Sequence, residues 1–408
     1  MNKSMWLNIK IYVFISTSIL NLRIFSENIS NNNKKIQNIC FVIDQYGQKT
    51  TNGCISFVKE WSKEFIKRGY NITVLCGNGI SEYGEKIFET GIQESGLVSK
   101  AAKKQGFSFA KVNKEVVEKA LKNIDIVHFI TPFELSTYVK DYCDKNNIKT
   151  TVTFATLPHN VGEASGLICT SLITSITNKK WKKFYDKFEN CNSISKVVDD
   201  YLVKKKYKCK CKMFYHGVNN NFIKKDNVTK PEKYKDKFII ITIGRLSNEK
   251  RQDLVIKAIV KSKFKDKIKL IIAGNGPNRK KYEKLVKKYN IDCEFNFYSR
   301  DELINVLNYC DLYCHCADVE AMGMSALEAI CCGVVPIIND AKYSGTKEFA
   351  LSDKNLFKFN DYKDLTKKID YFLENPDDLK KCSEEYIRIS DKYRISKTVD
   401  NMIDLFNL

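Results

Sequence analysis

The sequence predicts an α/β fold in which two Rossmann-like domains face each other across a cleft. Three observations predict it. At 408 residues the chain is longer than one ordinary core serves, so two domains are expected. From residue 36 apolar runs of strand length alternate with amphipathic stretches of helical period, the rhythm of a parallel sheet covered by helices. Lys-rich KKDNVTKPEKYKDK (224–237) breaks that rhythm once, and the pattern then restarts. The expected divisions are 1–35 before the first strand, 36–226, 227–390, and a terminal helix over 391–408 that packs back on the first domain.

In the first half IQNICFVID reads as a strand and QYGQKTTNG as the loop after it. A helix follows with Phe57, Val58, Trp61 and Phe65 on one face, ending at Arg68-Gly69. NITVLCG, IDIVHFI (124–130) and KTTVTFA (149–155) are the next strands, with a helix through Tyr138 and Tyr142 before the last of them. KMFYHGV continues the rhythm toward the linker. In the second half FIIITIGRL is a buried strand ending in Gly244-Arg245. A helix over 251–261 presents Leu254, Val255, Ala258 and Ile259 at helical spacing. IKLIIAGNGP, CEFNFYS and DLYCHC are strands, each separated from the next by a helix.

The first 35 residues differ. MNKSMWLNIKIYVFISTSILNLRIF carries an apolar run from Ile11 to Leu22, broken by Arg23, which is short for a membrane span and closer to a signal peptide or signal-anchor. The fifteen cysteines are odd in number and include Cys331-Cys332 and Cys209-Lys-Cys211, so no disulfide framework is expected and a reducing compartment is. No CxxC pair recurs and there are only four histidines, so no metal site is expected either. An uncleaved anchor with a cytoplasmic body reconciles the two signals and predicts membrane association.

The net charge is +20, and between Lys179 and Lys225 fourteen lysines face four acids. Such a block suits an anionic lipid surface or a polyanion, and equally a solvated face. Nucleic acid is not an expected partner, because no RNP-like, helix-turn-helix or zinc-finger pattern occurs.

Three features of the second half carry chemistry. Arg245 and Lys250, in GRLSNEKRQDL, put two cations just past a strand end, suited to a diphosphate. Gly274, Gly276 and Pro277 make a turn where backbone can approach a ligand closely. In DVEAMGMSALEAICCGVVPII, Glu320 and Glu328 are eight positions apart, and Gly323 and Met324 can turn N–H groups toward an anion. Ser325 and Glu328 have capping-box spacing, so Glu328 has a structural reading as well: a helix starting at Ser325 and stopping at Gly333.

The order strand–GRLSxEK, strand–GxGP, then E-x7-E before a helix resembles the donor domain of family 4 retaining glycosyltransferases of the double-Rossmann, type B fold. NEKRQDL, DVEAMGMSALEA, DAKYSGTKEFAL, TTNGCISF and DIVHFITPF look like the bacterial branch containing diacylglycerol glucosyltransferases. The resemblance implies a hexose donor such as UDP-glucose, no metal or other cofactor, and a lipid acceptor. It implies that Glu320 meets the donor sugar and Glu328 the ribose. Arg245 and Lys250 would hold the diphosphate, the backbone of Met322, Gly323 and Met324 would meet sugar and phosphate, and Gly53 would approach the phosphate from across the cleft. The chain departs where the family has a strand-end histidine, since Ala155 stands there. His159, in TFATLPHN, either replaces it by reaching back or is incidental. His128 reads as structural and His216 as positional. A glycan or soluble acceptor and a catalytically silent sugar-nucleotide binder remain alternatives.

The segment 171–190 interleaves Trp181, Phe184, Tyr185 and Phe188 with lysines. This is either an amphipathic helix lying on an anionic membrane or one packed on its own sheet.

Overall fold

The computed structural model describes residues 36–47, 53–96, 99, 102–103, 106–164 and 169–408. The anchor or signal reading of 1–35 therefore lies outside the described residues. Seven strands form the first sheet: β1 (Asn38–Val42), β2 (Asn71–Cys76), β3 (Lys86–Glu89), β4 (Ile126–Phe129), β5 (Lys149–Phe154), β6 (Asn190–Ser193) and β7 (Lys210–Met213), in spatial order β3-β2-β1-β4-β5-β6-β7. Six form the second: β8 (Phe238–Ile243), β9 (Ile268–Ala273), β10 (Cys293–Asn296), β11 (Leu312–His315), β12 (Val335–Asn339) and β13 (Leu356–Phe357), in order β10-β9-β8-β11-β12-β13. Every pairing within the two sheets is parallel. This is the expected fold class.

Both sheets reverse their strand order beside their first strand, at β1/β4 and at β8/β11. Loops leaving the carboxyl ends diverge at such a point and leave a crevice. Helices cover both faces, so central strands are apolar throughout, and Ile239, Ile240 and Ile241 of β8 are wholly buried. The strand expected at KMFYHGV lies earlier, at β7, where lysines alternate with other side chains.

The two sheets belong to one unit, Asn38–Leu408, and their loops touch. Ser195 Oγ donates to the Ala321 carbonyl at 2.7 Å, and the backbone N–H groups of Lys196 and Val197 donate to Glu348 at 3.0 and 2.9 Å. The last helix, Ile395–Asn407, returns to the first sheet, where Phe406 stacks on Phe65 and Asp400 pairs with Arg68 at 2.6 Å.

Helix Thr170–Tyr185 corrects the membrane reading of its aromatic residues. Trp181, Phe184, Tyr185 and Phe188 are buried against Phe129 and Phe154 rather than turned to solvent. Each such ring contributes roughly 2–3 kcal/mol by leaving water, more than an exposed stripe returns. The same helix leaves Leu172 and Ile176 in solvent, 58% and 50% exposed and one turn apart. No helix among the described residues is long and apolar enough to cross a membrane.

All fifteen cysteines are free thiols. Against the expectation of no metal-binding cluster, the sulfurs of Cys191, Cys209 and Cys211 come within 4.8 Å of one another.

Candidate functional site

The site is built where β8, β9 and β11 end. After β8 the chain turns through Gly244 (φ +146°) into Arg245 and a short 3-10 turn, Asn248–Lys250. Buried Glu249 orients the first cation: its carboxylate pairs with Arg245 Nη2 at 3.1 Å and accepts from Ser247 Oγ at 2.6 Å. Lys250 reaches over to Glu320, and the two form an ion pair. Glu320 belongs to a two-residue strand, Val319–Glu320, that pairs with Tyr343–Ser344. Burial would raise its carboxyl, but the charge of Lys250 and its hydrogen bond more than offset that and hold it below the ordinary carboxylate range.

His315 supports this corner. Its Nε2 lies 3.9 Å from Glu320 and 3.1 Å from Thr346 Oγ1, and its Nδ1 lies 2.9 Å from Tyr313 OH. The Thr346 hydroxyl donates to the Met322 carbonyl at 3.0 Å, so it must accept from His315. That assigns the proton to Nε2, leaving Nδ1 to accept from Tyr313. Burial pushes the imidazole down to about 4, which keeps it neutral.

Gly323 follows with φ +95°, and a Cβ there would strike the Thr346 side chain. Only glycine makes this turn, which ends in the N-terminus of helix Met324–Cys331. Met322 is buried and its sulfur accepts from the His216 N–H at 3.5 Å.

The capping box expected at Ser325 does not form. The helix is capped by Gly323, Ser325 bonds Tyr313 OH at 2.8 Å, and Glu328 faces Arg300 instead. Arg300 Nη2 lies 3.0 Å from Glu328, an ion pair without the alignment of a hydrogen bond, and its Nε lies 3.4 Å from Glu60 of the first lobe. Burial raises the Glu328 carboxyl, and the Arg300 charge opposes the rise only in part. Beside this bridge opens a cavity of about 220 Å³, lined by Glu60, Tyr83, Asn219, Arg300 and neighbours.

Gly276 is explained by protein packing. A Cβ there would lie 2.5 Å from the Leu246 carbonyl oxygen and 2.6 Å from its nitrogen, and one at Gly274 would strike the Gly244 carbonyl. The two loops are locked face to face, with Leu246 N–H donating to Asn275 and Asn278 N–H donating to Leu246. Gly53 opens helix Gly53–Lys67 and faces open space, and residues 48–52 before it lie outside the described residues.

His159 lies on helix Pro158–Ala164, its ring stacked on Tyr343 with centroids 3.7 Å apart. Tyr343 is the ladder neighbour of Val319, so this imidazole sits one rung from Glu320. Its Nδ1 is buried and takes no hydrogen bond, and burial pushes its pKa down to about 4. Ala155, just past β5, is buried. His128 bridges the hydroxyls of Thr151 and Thr153 inside the first lobe, and His216 stacks on Phe57.

The structure thus gathers Arg245, Lys250, Glu320 and the Met322–Met324 backbone into one corner, with Gly276 buttressing it and His159 near its rim. Glu328 belongs to a second cluster with Arg300 and Glu60. Sequence reasoning missed His315, Glu249, Arg300 and Glu60. For His315 a signal existed: a titratable residue at the carboxyl end of a strand, five positions before Glu320.

Residues 223–388 match the model of the family described as glycosyl transferases, group 1. No curated protein sequence matches the chain. Among solved structures, the catalytic domain of cholesterol-alpha-glucosyltransferase from Helicobacter pylori is similar at 42% identity, over 38% of this chain and 98% of that one, with a TM-score of 0.38. Anabaena Alr3699/HepE, solved with UDP-glucose, is similar at 14% identity and a TM-score of 0.67, over 90% of this chain and 98% of that one. WaaG, a glycosyltransferase involved in lipopolysaccharide biosynthesis, is similar at 15% identity and a TM-score of 0.68, over 90% and 99%. The last two share the fold across nearly the whole chain. Residues 223–388, the part of the chain that matches the group 1 glycosyl transferase model, carry Arg245, Lys250, Glu320 and Glu328.

Proposed function

We propose that the protein is a retaining hexosyltransferase that moves glucose from UDP-glucose to a membrane lipid such as diacylglycerol. The observation that carries this reading is the Lys250–Glu320 pair beside Arg245 at the β8/β11 switch point. Before a donor binds, the two charges neutralise each other. An arriving diphosphate competes for Lys250 and Arg245, and the freed Glu320 carboxylate accepts from the sugar's hydroxyls. As the bond to the anomeric carbon breaks, negative charge grows on the departing diphosphate, and the two cations and the N–H groups after Gly323 stand ready for it. The departing phosphate oxygen takes the acceptor's proton on the same face, which retains configuration. Glu328, oriented by Arg300, holds the ribose.

Support for a lipid acceptor comes from helix Thr170–Tyr185, where exposed Leu172 and Ile176 precede Lys179, Lys180 and Lys183. Lys182 is already engaged by Asp186 at 2.5 Å. Replacing Lys179, Lys180 and Lys183 by glutamine is expected to weaken binding to anionic vesicles about 100-fold, at roughly 1 kcal/mol per lysine near the surface. Unchanged partition in a sedimentation assay would remove the membrane part of the proposal.

The decisive test is labelled UDP-glucose with vesicles containing diacylglycerol. An α-linked glucolipid is expected. A β-linked product overturns retention, and transfer only to soluble sugars overturns the lipid acceptor. Ala155 favours one second reading, a silent sugar-nucleotide binder, which donor binding without turnover would establish.

A further inference from the structure

Cys191, Cys209 and Cys211 lie at the free edge of the first sheet. Cys191 of β6 and Cys211 of β7 are register partners across a parallel pair, and Cys209 comes two positions before Cys211. Register therefore turns Cys191 and Cys211 toward one face, Cys209 just ahead of the strand joins them, and the three sulfurs lie within 4.8 Å of one another. Three thiolates around a zinc ion at about 2.3 Å stand roughly 3.8–4.0 Å apart, so small side-chain rotations close the gap. Burial is graded: Cys191 is wholly buried, Cys209 is 7% exposed and Cys211 is exposed. A cation thus has a way in from solvent and a fixed inner ligand. The group contains sulfur only, which selects soft, thiophilic cations over magnesium or calcium.

We propose that these three cysteines bind one zinc ion, with water as fourth ligand, and that the ion ties the edge strand β7 to β6. Binding forms three Zn–S bonds and releases three thiol protons to solvent, with no change of oxidation state. β7 has a neighbour on one side only and Cys211 is exposed on it, so the metal supplies a cross-link that packing there does not.

The test uses the full chain, stripped of metal, reduced with a non-chelating phosphine and titrated with zinc against a chromophoric chelator. One equivalent is expected to bind at sub-micromolar free zinc. Peptide mass spectrometry should then show Cys211 and Cys209 protected from alkylation while Cys169 keeps its rate. Cys209→Ser/Cys211→Ser is expected to lose the equivalent and the zinc-dependent rise in Tm, and Cys169→Ser to keep both. Should the double variant fail to fold, Cys211→Ser alone, on the exposed edge, is expected to bind at least tenfold more weakly. Three results overturn the proposal: no zinc taken up at micromolar concentration, full affinity in Cys211→Ser, or a Cys209–Cys211 disulfide on oxidation without zinc uptake.

Discussion

Glu320→Gln is expected to lower kcat with UDP-glucose by about 10²–10³-fold, the scale on which removal of one charge-stabilising group acts. Glutamine keeps the size of the side chain and removes the charge that balances Lys250. Without that balance Lys250 has no partner until a diphosphate arrives, so donor binding is expected to hold or tighten while turnover falls. Lys250 is 22% exposed and can rehydrate, so the variant should lose only roughly 1–2 kcal/mol of stability. A double cycle with Lys250→Met should be strongly non-additive, because each residue sets the other's state. Steady-state kinetics and a denaturant titration check both halves. Full activity in Glu320→Gln would overturn the assignment of this corner as the reacting site.

Acid is expected to unfold the protein well before ordinary carboxylate titration begins. Free histidine titrates near 6.5, but burial lowers His128 and His216 to about 3 and His159 and His315 to about 4. Between those values and 6.5 the unfolded chain carries protons that the folded chain refuses, so stability rises with pH and falls as pH is lowered. Asp44 opposes this: burial raises it to about 6, so the folded state holds one extra proton. The raised carboxyls of Asp318, Glu328 and Glu348 oppose it too, and the lowered ones of Asp253, Asp292 and Glu320 add to it. Near pH 5 the four lowered histidines less Asp44 leave about three net protons, a slope of roughly 4 kcal/mol per pH unit. Urea midpoints at pH 7, 6 and 5 should fall steeply. A flat or rising series would show that these imidazoles are hydrated in solution.

The fold was legible because each central strand is a continuous apolar run, such as FIIITI, bounded by a glycine or a charged loop. β6 and β7 were not, since NCNS and KCKM are polar and pair only because neighbouring strands offer them an edge. The corner around Glu320 was legible through spacing along one chain segment. His315 and Arg300 were not, because their partners are supplied by tertiary contact: Thr346 and Tyr313 for the first, Glu60 and Glu328 for the second. Ser325 misled for a related reason. Its capping-box spacing is real, but Tyr313 claims its hydroxyl and Arg300 claims the glutamate. The aromatic residues of 171–190 could be assigned to core or membrane only once Phe129 and Phe154 were placed beside them.

The backbone-on-backbone seam between residues 244–246 and 274–276 bears on how such a protein can change over evolutionary time. Backbone lies directly on backbone along that seam, so most replacements at Gly274 or Gly276 would break it. The surface of helix Thr170–Tyr185 offers the opposite situation, with Leu172 and Ile176 free to vary at little cost to the core. Descendants of this chain would therefore inherit a frozen turn in the second sheet and vary more readily on the outer helix of the first.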